Sequence, residues 1–548
     1  MIVDARALSD RSILRTDVCI VGAGPAGITL ARELSGMPFR VCLVESGGTR
    51  FDPETQALAQ LSPDRSTDLT PGLDTRRRQF GGTANVWNVR ATSTGHAVRY
   101  LPLSPIDFET RSWIPHSGWP FTRADLEPYY ARAHSVCGLS SCSYRVADWE
   151  RPLAARVPLN AQLIETSIEQ YGDASVFTHA HRDTLCDAPG VTVLLHANAT
   201  ALRERPTSAS IGRVDVECLN GRRHEIRSSL FILACGALEN ARLLLLSTGR
   251  SGAGIGNQHD RVGRFFMEHH NVRGGLLPVA DPAVFAKLAL YDLRRVDDAM
   301  IMAKLIPSED LMRRERLLHA AARIEPRPPD HAREAAHSVR SVGAALRAGR
   351  VPSQLGRHVR SIAHGLPHLM AFELPARWSS ARRGRYGWST LGEAHRRFAA
   401  LAIELQIELS PDPGNRVLLA DGRDRFGRPL PSVHWKWRDR DRASLRGVQR
   451  ALAAAFASAG MGSMVCAPAE QDPEVLMPGG THHHMGTTRM HVDATQGVVD
   501  SSSRVHGVDN LFVAGSSVFP TGGYANPTLT IVALAVRLAD HVRSLMHA

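Results

Sequence analysis

Lysine is almost absent from this chain. Of 65 basic residues only Lys287, Lys304 and Lys436 are lysine, so the formal charge of +11 is carried by arginine scattered along the whole length. A nucleic-acid binder concentrates its basic residues in one patch or tail. The even spread points instead to codon usage in a GC-rich genome, and no nucleic-acid partner is expected. A basic field can still favour an anionic substrate or surface. Cysteine is scarce and unpatterned. The eight cysteines include no CxxC pair, and Cys19, Cys42 and Cys235 sit in apolar strand-like runs, where a thiol acts as a small hydrophobe. That pattern disfavours iron–sulfur and disulfide roles and suits a reducing compartment. No apolar run approaches the roughly 20 residues that span a bilayer, so no transmembrane segment is expected. The first 17 residues hold neither an apolar signal core nor a twin-arginine pair, and a cytoplasmic location is expected. What remains is a 548-residue chain, 43% hydrophobic and 22% charged, long enough for two large domains or one intertwined pair.

Residues 17 to 48 read "DVCIVGAGPAGITLARELSGMPFRVCLVESGG". Val18 to Val21 is a short apolar strand, Ile28 to Leu34 a helix, and Val41 to Val44 a second strand ending in Glu45. Between the first two lies G-x-G-x-x-G, with Gly22 permitting the tight turn, Gly24 the approach of a pyrophosphate and Gly27 close packing of helix on strand. The helix N-terminus presents unpaired N–H groups to the phosphates. Glu45, 18 residues beyond Gly27, is placed to accept hydrogen bonds from the adenosine ribose. A glycine triplet alone is weak evidence; strand, triplet, helix, strand and acid together are strong. This fingerprint does not separate NAD from FAD.

At the other end of the chain, "NLFVAG" (510–515) is an apolar strand closing on Gly515, where a backbone can approach a cofactor. "GGYANPTLTIVALAVRLADHV" is a glycine-rich turn opening a long apolar helix, with Pro527 and Thr528 at its start. Just before these lies "THHHMGTTRM" (481–490), three histidines in a row. Metal ligation needs a convergent set, and this run has neither helical His/Glu spacing nor a Cys partner, so no metal is expected.

These pieces resemble the glucose–methanol–choline (GMC) family of FAD-dependent oxidoreductases. The N-terminal unit is similar to the family's FAD-binding segment. "FGGTANVWNVR" (80–90) resembles its flavin loop, and "FILACGALENARLLLLS" (231–247) its inner strand–turn–helix. "VGRFFMEHH" (262–270) follows in the usual order, and the carboxy end resembles the catalytic and flavin-closing segment. The forms "GTTRM" and "ANPTLT" are nearest to bacterial sugar and polyol oxidoreductases, including pyranose oxidases. The resemblance implies oxidation of an alcohol on a small molecule, with electrons passed to O2 or another acceptor. It places the catalytic histidine three positions before Gly486, at His483, and the second catalytic position at Asn526. His482 and His484 point elsewhere in an extended segment, as packing or rim residues. An imidazole suits the proton-accepting half of alcohol oxidation. The resemblance also assigns Gly81, Gly82, Thr83, Asn85 and Trp87 to the flavin loop, with Asn88 a further candidate for the flavin face. Pro527 and Thr528 would set a helix end against the reduced pyrimidine ring. Pyranose oxidases attach the flavin through a histidine directly before the loop tryptophan. Here Val86 holds that place, so FAD is expected to be non-covalent.

The fold expected is α/β: a Rossmann-like FAD-binding domain from residues 1–100, 190–275 and 490–548. An α+β substrate domain on an antiparallel sheet would comprise 101–189 and 276–489. Within the latter, a helix capped near Thr122 follows a loop, and residues 415–437 read as two strands around a turn. Residues 402–410 alternate like a half-buried strand, with Ile403, Leu405 and Ile407 on one face and Glu404, Gln406 and Glu408 on the other; for Gln406 a solvent-facing side chain is favoured over one lining a pocket. An Arg-rich insert at about 309–400 shows helical periodicity near 331–349 and ends in the tail "ARRGRYGWS" (381–389); a solvated helical addition is slightly favoured over a cap on the active site, an oligomer contact or a docking surface for an electron acceptor.

Overall fold

The apolar tetrads of the nucleotide-like segment form the middle of a six-stranded parallel sheet. In a computed structural model its strands run in the order Ile2–Asp4, Val191–Leu195, Val41–Val44, Val18–Val21, Leu230–Leu233, Leu511–Val513. The structure describes residues 1–64, 67, 72–89, 96–249, 252–281, 283–373, 388–390, 397–467 and 482–547. The four consecutive strands from Val41–Val44 to Leu511–Val513 are buried at every position. That suits a parallel sheet covered on both faces. Cys19 pairs with Cys42 in register inside it, whereas Cys235 lies past the end of its strand.

The helix Pro25–Glu33 starts at Gly24 with proline in its first turn. Gly27 fits because a Cβ there would stand 1.9 Å from the Gly22 carbonyl oxygen. The long C-terminal helix Thr528–His547 packs beside Pro25–Glu33 and against Arg123–Val136. The latter helix is capped by Thr122, whose backbone N–H donates to Asp125. A smaller four-stranded sheet, Ile13–Arg15, Arg223–Arg227, Ile211–Glu217 and Asn198–Glu204, flanks this body.

The second large sheet has eight strands, its main path running Val465–Cys466, His270–Pro278, Ala400–Ile407, Ala320–Arg327, Ala299–Pro307, Ile164–Asp173, Ala97–Tyr100. Neighbours along that path are antiparallel. Residues 416–423 and 429–434 make the expected hairpin.

Two expectations change here. The Arg-rich stretch is not one helical insert: after a short helix, Glu309–Glu315, the segment Ala320–Arg327 is an inner strand of the sheet, and only then comes the helical hairpin Asp330–Arg347 and Leu355–His368. Of the tail 381–389, all but Trp388 and Ser389 lies outside the described residues. The polar face of strand 400–407 does not meet solvent: Glu404, Gln406 and Glu408 are 6%, 3% and 1% exposed. Alternation reports that two faces differ, not what the polar one touches. Among the described residues no helix is long and apolar enough to cross a membrane.

Candidate active site

A cavity of about 580 Å³ runs from the end of strand Val41–Val44 to the histidine run. Its walls include Gly22, Gly24, Glu45, Gly82, Thr83, Val86, Trp87, Asn88, His483, Gly515, Asn526, Pro527 and Thr528, residues spread over more than 500 positions of sequence. Gly27, Gly81 and Asn85 stand behind the wall. Gly81 donates its N–H to the Ala23 carbonyl at 2.8 Å, and the Asn85 amide donates to the carbonyls of Phe80 and Gly82. Asn85 therefore shapes the loop rather than facing the cavity.

The two glycine loops meet closely, since a Cβ on Gly82 would lie 2.9 Å from the Gly24 Cα. Glu45 is buried, accepting from the N–H groups of Ala23 and Gly47 at 2.9 Å each. It braces the first glycine loop as well as lining the cavity. A cleft with a helix N-terminus, two closely apposed glycine loops and a buried acid at its far end fits a dinucleotide. Asn198, Ala199, Thr200 and Cys235 extend that end and carried no readable signal in the sequence.

The opposite end is polar. Met267 and Met485 exchange backbone hydrogen bonds of 3.0 and 2.9 Å, clamping the Phe265–His270 stretch against the histidine run. Two residues after Met267 and two before Met485, His269 and His483 face each other across this antiparallel bridge, with Nδ1 to Nδ1 at 2.9 Å. The other nitrogen of His269, Nε2, lies 2.8 Å from the Gly523 carbonyl. A carbonyl only accepts, so His269 Nε2 carries the hydrogen. Burial pushes His269 down to about 4, so its ring is neutral near pH 7 and its Nδ1 is bare. His483 must then donate from Nδ1. Burial, with the positive charge of Arg99 behind it, holds His483 well below the ordinary imidazole range. Its Nε2 is thus the basic nitrogen of a neutral ring that lines the cavity.

Asn526 is oriented the same way. The Gln406 amide nitrogen donates to the Tyr524 carbonyl at 2.7 Å and to Asn526 Oδ1 at 3.1 Å. With Oδ1 engaged, the Asn526 NH2 is the group left to donate. Beneath this pair lies a fully buried ion pair, Arg111 to Glu408, at 2.7 and 3.0 Å. Glu408 also accepts from the N–H of Gly523 at 3.2 Å, so the residue whose carbonyl fixes His269 is itself held.

The neighbouring histidines do other work. His482 is exposed, and its backbone N–H donates to Glu268 at 2.6 Å. His484 is buried with Nε2 3.5 Å from Glu268, its ring against Phe266. Burial alone would raise the Glu268 carboxyl, but His484 and the His482 N–H outweigh it and bring it to about 2. In the sequence His269 is only one of a histidine doublet, and the alternation around Gln406 favours a surface group, so neither role is legible there. Among the described residues no cluster of three or more His, Cys, Asp or Glu side chains is arranged to hold a metal ion.

Comparison with known proteins decides the family. Residues 411–535 match the family model described as GMC oxidoreductase, and residues 15–60 match one described as FAD binding domain. The chain is a GMC oxidoreductase. It is 24% identical to 2-methyl-1,2-propanediol dehydrogenase of Mycolicibacterium austroafricanum, over 96% of this chain and 95% of that protein. It is 25% identical to 6'''-hydroxyparomomycin C oxidase of Streptomyces lividus, over 96% and 91%. A solved variant of Aspergillus oryzae formate oxidase shares the fold, with a TM-score of 0.52 at 15% identity over 98% of this chain and 99% of that one. The protein is therefore an FAD-dependent flavoprotein that oxidises alcohols, built as an α/β FAD-binding domain carrying an antiparallel substrate sheet.

Proposed function

We propose that this GMC oxidoreductase oxidises a CH–OH group of a polyhydroxylated small molecule, a sugar, polyol or glycoside, with His483 as the base. The observation that carries the reading is the His269–His483 contact, which leaves His483 Nε2 unprotonated on the cavity wall. When bound, FAD supplies the hydride acceptor at N5. His483 Nε2 takes the hydroxyl proton, and the Asn526 NH2 donates to the substrate oxygen and stabilises the alkoxide character that develops as the proton leaves. A positioned base of this kind contributes roughly 10²–10⁴-fold. Gly22, Gly24, Gly82, Thr83 and Glu45 would hold the nucleotide part of FAD, and Trp87, Gly515, Pro527 and Thr528 its flavin end. The polar wall near His483, with Asn271, Arg99 and Arg323, supports a substrate with several hydrogen-bonding groups. The aminoglycoside oxidase relative points the same way.

The second reading, favoured by the 2-methyl-1,2-propanediol dehydrogenase relative, is oxidation of a non-sugar alcohol with electrons passed to a quinone or protein in place of O2. Reoxidation of the reduced enzyme by air in a stopped-flow instrument separates the two acceptor types. We further propose that the enzyme is cytoplasmic and holds FAD without a covalent bond, because Val86 precedes Trp87. Acid precipitation should release the yellow chromophore into the supernatant. Flavin fluorescence retained on the band of a denaturing gel would contradict this.

A further inference from the structure

Among the described residues seven arginines line the cavity, and six have resident partners. Arg76 and Arg78 pair with Glu239, Arg242 with Asp424, Arg428 with Glu217, and Arg323 with Glu404 and Glu325. Arg77 lies over the Phe51 ring. The seventh is Arg99, on the edge strand Ala97–Tyr100 opposite Tyr171. Among the described residues its guanidinium meets no carboxylate and makes no hydrogen bond. Its charge is nevertheless felt at His483 and His269 on one side and at Lys304 on the other, so it stands at the polar end of the cavity. The acids of that sheet face are already engaged: Glu169 holds Lys304 at 2.6 Å, and Glu404 and Glu325 hold Arg323.

An unpaired guanidinium is tolerable while water fills the cavity. An alcohol seated against His483 displaces that water. A neutral alcohol then leaves Arg99 desolvated and without a counter-charge, which is costly, whereas a carboxylate offers it a bidentate partner. One unpaired cation, with its cationic neighbours neutralised, matches a monoanion better than a phosphate dianion. We infer that Arg99 is the anion subsite of the substrate chamber and that the preferred alcohol carries a carboxylate, as a sugar acid or hydroxy acid does. The inference rests on the alcohol-oxidising reading of the His483 and Asn526 end and adds a substrate class to it.

The test uses FAD-loaded enzyme and matched probes, D-glucuronate against D-glucose and D-gluconate against D-glucitol. Calorimetric titration into His483→Ala holoenzyme reads binding without turnover. At least one acid should bind tenfold or more tighter than its neutral partner. Arg99→Gln should weaken that acid by roughly 10–100-fold, the loss of a charge-assisted hydrogen bond, and so collapse the acid-to-neutral ratio. Acid and neutral probes binding alike would overturn the inference, as would binding of neither acid. An Arg99→Gln loss equal for both members of a pair would also overturn it and give Arg99 a role toward the flavin or the fold. The parent reading fails differently, if wild type and His483→Ala are reduced by alcohols at equal rates.

Discussion

The two large sheets bury their faces in opposite ways. In the six-stranded parallel sheet the central strands are apolar on both sides, and the chemistry of that half resides in backbone: glycine loops, a helix end, a buried glutamate bracing N–H groups. In the eight-stranded antiparallel sheet one face is apolar and the other is buried while polar. Glu169, Lys304, Glu404 and Gln406, with the half-buried Arg323, all lie on it, satisfied by one another and by the loop that carries Asn526. One half therefore recognises its ligand through steric room for backbone, and the other through charges and tautomers fixed across long sequence separations.

That contrast can be broken by substitution. The largest effect is expected in the backbone-driven half. Gly27→Ala puts a methyl 1.9 Å from the Gly22 oxygen, where no flexible side chain can yield. Overpacking of this kind costs about 1–3 kcal/mol. The variant should lose most of its flavin on gel filtration and unfold at lower temperature, while any molecules that keep FAD turn over normally. Normal flavin content and Tm would remove the steric account of that loop.

In the side-chain-driven half the expected pattern is the reverse, with flavin retained and rate lost. His269→Leu frees the His483 ring to adopt the wrong tautomer and should slow flavin reduction roughly 10²-fold, most of the general-base contribution. His269→Gln should recover much of that loss, because its amide can donate to Gly523 and accept from His483. Flavin reduction at the wild-type rate in both variants would make His269 a packing residue.

The smallest effect is on stability against acid. His269 and His270 are both buried, and burial brings each to about 4. As pH falls below the ordinary 6.5, the unfolded chain binds protons that the folded one refuses. Their contribution to stability is therefore complete above about 6.5 and is lost progressively down to about 4. A urea midpoint that does not decline between pH 6.5 and 4.5 would show that one or both titrate normally in the fold.

The difference between the sheets also explains what could be read in the sequence. The nucleotide half was legible because steric rules act over short stretches: Gly22, Gly24, Gly27 and Glu45 sit within 24 residues of one another. The register of His483 and Asn526 came from resemblance to a family, since nothing local distinguishes the middle of three histidines. The polar face of strand 400–407 is harder to read, and Gln406 looks like a surface group, because its partners are remote. Arg323 lies 81 positions from Glu404, and Asn526 lies 120 from Gln406. No window along the chain holds both members of such a pair. The same distance hid His269, whose partner is 214 residues away.

The central claim is that the middle histidine, and not its neighbours, is the base. Anaerobic stopped-flow reduction of the bound flavin by an alcohol substrate, compared among wild type, His482→Ala, His483→Ala and His484→Ala, tests it most directly. The account predicts that His483→Ala keeps its flavin spectrum and is slowed by roughly 10²-fold or more, with the other two much milder. Reduction of His483→Ala at close to the wild-type rate, or His484→Ala as the inactive variant, would contradict it.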